Sequence, residues 1–143
     1  MKFLVLNGPN LNMLGIREPG IYGKSTFSDL LNLLEETARE EGLELEQYQS
    51  NHEGCLVDKI QEPYGKVDGL VINPAAYTHT SVAILDALKA VSIPAVEVHI
   101  SDVDAREPFR QISYPGLACI KTIKGQGLDG YRQAILYLKQ YLS

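Results

Sequence analysis

KFLVLNGPNLNMLGIREPGIYGK, Lys2 to Lys24, is the stretch from which the rest of the chain can be read. Phe3 to Leu6 is a continuous apolar run that breaks into Asn-Gly-Pro-Asn, the pattern of a strand buried on both faces. Asn7 to Lys24 then connects that strand to an amphipathic segment opening near Ser25. Such βα connections usually take about two to six residues, and longer ones are usually functional or disordered. Leu11, Met13, Leu14, Ile16 and Ile21 give this one apolar groups to pack, so it is expected to be an active-site lid. Asn10, Arg17 and Tyr22 are its chemically active residues.

Outward from the lid, strand patterns alternate with helix patterns. Phe27, Leu30, Leu31, Leu34 and Ala38 recur at helical spacing in a segment capped by Ser25 or Thr26 and ended by Gly42. Residues 43–50 alternate as a strand with one poorer face, and Leu56, Val57 and Ile60 mark a short helix ending before Pro63. Residues 67–72 form a third strand, 80–91 a helix, 94–100 a fourth strand and 117–123 a fifth. The connection 101–116 carries one expected helical turn around 105–111, and 128–142 closes the chain as an amphipathic helix. This alternation predicts one α/β domain over 1–143, a flavodoxin-like three-layer sandwich with a five-stranded parallel sheet of order 2-1-3-4-5.

Composition narrows the function. The 143 residues carry 45% hydrophobic and 22% charged side chains and a formal charge of −5, which argues against a nucleic-acid or anionic-membrane surface. No apolar run approaches the ~18 residues that would span a bilayer, and the four apolar residues after Lys2 are too few for a signal peptide. Cys55 and Cys119 fit no CxxC or zinc pattern and are expected as free thiols in a reducing cytoplasm. Histidines 52, 79 and 99 lack metal-ligand spacing. Gly23-Lys24-Ser25 lacks the earlier glycine of a phosphate-binding loop. Gly125 to Gly130 matches GxGxxG, but the chain ends before a dinucleotide fold could be completed, so these glycines are read as a strand-to-helix turn.

Ligands of such sheets sit beyond the carboxyl ends of the strands, at the switch point between strands 1 and 3. Asn7, Asn10, Asn73, His99 and Ser101 gather there. A tyrosine with pKa about 10 is a poor base at pH 7, but a guanidinium within ~4–6 Å favours its phenolate, which pairs Tyr22 with Arg17. Strand alternation puts Glu97 on the face of His99, where a carboxylate orients an imidazole. His79 and Asp86, seven apart, are expected on one side of the third helix, and Arg106 and Arg110 on one face of a helical turn. Together these residues suit proton abstraction next to a carbonyl in a small polyhydroxylated acid. Tyr22 would be the base, Asn10 a donor to the enolate and His99 the acid for a leaving hydroxyl. Asn73 with the amides of Ile100 and Ser101 would hold a carboxylate. The rival reading is a non-catalytic module on the same fold that binds a flavin or another phosphorylated ligand.

NGPNLNMLGIREPGIYG (7–23), QSNHEG (49–54), INPAAYTHTSVAILDAL (72–88), VEVHIS (96–101) and AREPFR (105–110) together resemble the type II 3-dehydroquinate dehydratases of the shikimate pathway. The resemblance implies a cofactor-free anti elimination of water from 3-dehydroquinate through an enolate, in a dodecamer built from trimers. It implies Tyr22 as proton acceptor, His99 as donor, Arg17 as activator of the tyrosine and Asn10 as holder of a water at the enolate oxygen. Asn73, His79, Ile100, Ser101 and Arg110 would bind substrate, with Asp86 reaching in from a neighbouring subunit. Glu97 would support His99, and Arg106 would belong to the surroundings of the lid. The chain departs from the family's usual residues at Ala75, Asp102, Asp104 and Pro115-Gly116, and the two aspartates add negative charge near an anionic substrate.

Overall fold

The computed structural model describes residues 1–16, 20 and 24–143. Five parallel strands, β1 (Lys2–Asn7), β2 (Glu44–Gln49), β3 (Gly69–Asn73), β4 (Ala95–His99) and β5 (Lys121–Lys124), lie in the order β2-β1-β3-β4-β5. The expected sheet order is therefore the observed one. The three inner strands are buried almost end to end, which is why they read as unbroken apolar runs.

Among the described residues, four helices cover the sheet: α1 (Phe27–Glu41), α2 (Glu53–Gln61), α3 (Val82–Val91) and α4 (Asp129–Leu142). Strand alternation divides the core in two. Phe3, Val5, Val71, Val96 and Val98 pack under α1 and α4 through Leu30, Leu34, Tyr131, Ile135 and Leu138. Leu4, Leu6, Leu70, Ile72 and Ala95 pack under α2 and α3 through Leu56, Ile60, Ile84 and Leu88. Thr26 caps α1 in a reciprocal box with Asp29, and Gly42 ends that helix at φ 66°, where an L side chain would be strained.

Three local expectations change. The fifth strand begins at Lys121 rather than Leu117, because Pro115–Ala118 is a 3₁₀ turn opened by proline and closed by the Cys119 amide donating to the Gly116 carbonyl. The single helical turn expected at 105–111 is two short 3₁₀ turns, Val103–Ala105 and Pro108–Arg110, since Pro108 can start a turn but cannot continue one. His79 does not share a helix with Asp86; it ends the 3₁₀ turn Ala75–His79, and α3 starts only after the Ser81 side chain caps Ile84.

Of the lid's apolar residues, Leu11 and Leu14 are buried while Met13 and Ile16 are exposed. Ile21 lies outside the described residues. The β1 and β3 ends approach so closely that a Cβ on Gly8 would sit 2.4 Å from the Pro74 carbonyl oxygen, and the Gly8 amide donates to the Asn73 carbonyl at 2.8 Å. Only glycine fits the sequence here, and its fit sets the mouth of the crevice.

Candidate active site

The crevice opens over the carboxyl ends of β1, β3 and β4 and holds about 480 Å³ of space open to solvent. Asn10, Asn73, His79, His99, Ile100, Ser101, Arg106 and Arg110 all line it. Eight residues singled out from separate parts of the sequence thus meet in one place. Among the described residues that line it there is no Asp or Glu, so two arginines set its charge although the whole chain is acidic.

Its floor under β1 and β3 is a buried amide network. The Tyr131 hydroxyl, on α4, donates to Asn7 Oδ1 at 2.6 Å and accepts from Asn73 Nδ2 at 2.9 Å. Asn7 Nδ2 donates onward to Gln47 Oε1, and Asn73 Oδ1 accepts from the Ala75 amide at 3.1 Å. The Asn73 side chain is thereby fixed in rotation, with one N–H left to aim at substrate. Burial raises the Tyr131 pKa above the usual phenol value, outweighing its bond from Asn73, and the group stays neutral. Asn10 stands at φ 69°, the left-handed conformation asparagine tolerates better than most residues. Its amide donates to Asn51 Oδ1 at 3.0 Å, and Gln49 Nε2 ties Asn51 to Asn12 and to the Gly8 carbonyl.

The wall on β4 is built on a buried carboxylate. Glu97, 1% exposed, places Oε2 at 3.1 Å from His99 Nε2, the shared face expected from strand alternation. Burial pushes the Glu97 carboxyl up, but hydrogen bonds and charge from His99, with further bonds from Ser113 and Thr122, outweigh it and hold the group below the usual range. The bond to Glu97 engages Nε2 and leaves His99 Nδ1 to serve the crevice. Gly125 and Gly127, both at positive φ, donate to the carbonyls of His99, Ser101 and Ile100. Those glycines turn the strand into α4, as read from the sequence, and brace the crevice from below.

His79 comes in from the turn after β3. Burial lowers its pKa, the charges of His99 and Arg110 act the same way, and a bond to Ile112 only partly opposes them. Its Nδ1 lies 2.7 Å from the Ile112 carbonyl oxygen, which can only accept, so Nδ1 carries the proton and Nε2 is an acceptor. Arg106 and Arg110 do not share a helical face. They converge instead through Glu107, whose Oε2 lies 3.9 and 2.7 Å from their Nε atoms.

Asp86 is not in the crevice; it is exposed on the outer face of α3. Arg17 and Tyr22 lie outside the described residues. Asp104 is ion-paired to Lys124, and Asp102 accepts from the Asp104 amide, so the first of these two aspartates has its charge answered on the spot. Tyr131, Ser113, Thr122 and Asn51 carried no role in the sequence reading. Asn51 lies within the quoted QSNHEG stretch, the one signal that pointed to any of them.

A parallel α/β sheet whose switch-point crevice offers an acid, a fixed amide and two arginines defines a small-molecule enzyme of anionic substrates. The model of the class II dehydroquinases matches residues 1–139. A 3-dehydroquinate dehydratase of Clostridium acetobutylicum is 51% identical over the whole chain and 99% of its own length. A catabolic 3-dehydroquinase of Penicillium rubens is 54% identical over 94% of this chain and 86% of that protein. The crystal structure of a type II dehydroquinase from Butyrivibrio crossotus superposes with a TM-score of 0.96 at 55% identity, covering 97% of each chain. The chain belongs to the class II dehydroquinase family. Nothing among these relatives supports the rival reading of a flavin-binding module.

Proposed function

We propose that this chain is a type II 3-dehydroquinate dehydratase, a hydro-lyase of the shikimate pathway that converts 3-dehydroquinate to 3-dehydroshikimate and water, one catalytic domain spanning 1–143. The observation that carries the reading within this molecule is that His99, backed by Glu97, shares one crevice with Arg106, Arg110 and Asn73, and no Asp or Glu lines it among the described residues of an acidic chain. An anionic hydroxy acid is drawn there by local donors against the net charge.

The Tyr22 phenolate, favoured by Arg17, takes the proton from the carbon next to the ketone. The electron pair moves onto the carbonyl oxygen, where Asn10 positions a water to donate to the enolate. The enolate then reforms the ketone and expels the β-hydroxyl, which leaves as water with a proton from His99. Asn73, the Ile100 and Ser101 amides and Arg110 hold the carboxylate and hydroxyls, and His79 Nε2 accepts from a substrate hydroxyl. Glu97 supports His99, and Arg106 sits beside the lid. Asp86 would act on a neighbouring subunit's site in a homo-oligomer, a dodecamer of trimers, since its outward position keeps it from its own crevice. The reading assigns no cofactor and a cytoplasmic location; among the described residues no helix is long and apolar enough to cross a membrane.

The test is direct. The full chain mixed with 3-dehydroquinate should produce the ultraviolet absorbance of a conjugated enone. A purified, folded sample that leaves the substrate unchanged would overturn the reading.

A further inference from the structure

Glu97 has more partners than orienting His99 requires. Its Oε2 accepts from the Ser113 hydroxyl at 2.5 Å as well as facing His99, and its Oε1 accepts from the Thr122 hydroxyl at 2.9 Å. The Ser113 proton has a fixed aim, because Ser113 Oγ is itself the acceptor for the Gly116 amide at 3.0 Å. Thr122 stands directly opposite Glu97 in the β4–β5 register. A Cβ on Gly116 would lie 2.7 Å from Glu97 Oε1 and 2.8 Å from Ser113 Oγ, so the turn after β4 closes on this carboxylate through a residue without a side chain.

We propose that Ser113 and Thr122 are positioning residues for the acid: they hold the Glu97 carboxylate as a fixed acceptor for His99 Nε2–H, so that the second proton, taken up on Nδ1, is the one His99 gives to the leaving hydroxyl. The proposal rests on the dehydratase reading. Three donors converge on one buried carboxylate, two on Oε2 and one on Oε1, and a proton on either oxygen would compete with the donors bound there. Without the hydroxyls, burial favours the neutral carboxyl, whose O–H donates to Nε2. The imidazole then holds its single proton on Nδ1 and can release it only if the carboxyl proton passes to Nε2 in the same step, and this added proton transfer makes it a slower acid.

Among the described residues, the other titratable groups around the pair are His79, Arg106 and Arg110 on the crevice side, Asp104 and Lys124 paired across the opposite opening, and Cys119 behind. Burial pushes the Cys119 thiol up to about 12, and it stays neutral. Lys124 is taken by Asp104, and Arg110 by Glu107. Among the described residues, the two hydroxyls are the side chains besides His99 that hydrogen-bond the carboxylate, Ser113 on the oxygen that faces His99 and Thr122 on the other.

The experiment compares the full-length wild type with Thr122→Val, Thr122→Ser and Ser113→Ala, by steady-state kinetics on 3-dehydroquinate and by ¹⁵N spectra of the three histidines. Thr122 is exposed on an edge strand, so its valine variant is expected to fold. Thr122→Val and Ser113→Ala should each lower kcat about tenfold, the loss of one hydrogen bond to a charged group, with KM nearly unchanged. Thr122→Ser should keep the wild-type rate. The His99 signals should report Nε2–H in the neutral ring of the wild type and move toward Nδ1–H in the valine variant. Wild-type kcat and spectra in both hydroxyl-deleted variants would overturn the proposal, as would equal damage from Thr122→Ser. Spectral changes as expected, in a chain that never turns over 3-dehydroquinate, would instead overturn the dehydratase reading and leave the positioning role standing.

Discussion

The floor beneath β1 and β3 and the wall on β4 and β5 both bury polar side chains, but they are made of different materials. Asn7, Asn73 and Tyr131 are neutral, and each recorded bond of their network joins an amide to a hydroxyl or a carbonyl. Glu97 faces His99 and is surrounded by donors that favour charge on the carboxylate. A neutral network fixes the direction of a hydrogen bond and is indifferent to pH. A carboxylate beside an imidazole can move a proton, and it must then be sheltered so that the proton goes where the chemistry needs it. This crevice keeps the two jobs on separate strands.

The largest expected effect comes from neither wall. Tyr22→Phe should leave less than about 1% of the wild-type rate, since a positioned acid or base is commonly worth 10²–10⁴-fold. His99→Gln should cost a similar factor in kcat and, because it removes the main partner of the buried Glu97 carboxylate, should also lower the denaturant midpoint. If Tyr22→Phe stays as active as wild type, the base is inside the described crevice, and His79 Nε2 is the acceptor to test next.

Tyr131→Phe probes the neutral floor. It leaves Asn7 Oδ1 and Asn73 Nδ2 buried without their partner, and each such group costs about 1–3 kcal/mol. Denaturant unfolding should show that loss at every pH between about 5 and 8, because the phenol is neutral throughout. KM should rise more than kcat falls, since Asn73 loses its aim. A loss confined to kcat would mean that the floor takes part in proton movement and would erase the contrast between the walls.

Acid sharpens the same contrast from the other side. The folded pKa of Glu97 lies below the unfolded value of about 4.3, so its charge contributes stability that is complete above that pH. The contribution disappears as pH falls through the lower folded value. Wild type should therefore lose stability relative to Glu97→Gln below about pH 4.3, while its difference from Tyr131→Phe stays flat. A flat Glu97→Gln difference across that range would show that the carboxylate gains nothing from its donors.

The smallest effect concerns Ala75, which sits at φ 52° where the resemblance leads one to expect glycine. A left-handed alanine costs about 1–2 kcal/mol, and glycine gives back roughly 0.5–1 through its freer unfolded chain. Ala75→Gly should raise stability by on the order of 0.5–1 kcal/mol in thermal unfolding, without moving kcat. A destabilised variant would show that the Asn73–Ala75 turn is unstrained.

Much of this was legible in the chain. Runs such as Phe3 to Leu6 and Leu70 to Ile72 marked the inner strands because burial on both faces requires unbroken apolar sequence. The cap at Ser25 or Thr26, which the structure places at Thr26, the stop at Gly42 and the facing of Glu97 with His99 are properties of a few consecutive residues, and local geometry carried them into the fold. The same reasoning failed at Leu117, whose apolar run looked like strand until Pro115 turned it, and at His79 and Asp86, which helical spacing placed on one face. Ser113, Thr122 and Tyr131 stand 16, 25 and 58 residues from the groups they hold. No period or spacing connects them, because a hydrogen bond across strands depends on register and layer packing. The sequence by itself determined the strand–helix order and the residue types able to run an elimination. Which hydroxyl meets which carboxylate was decided only when the chain closed its core around them.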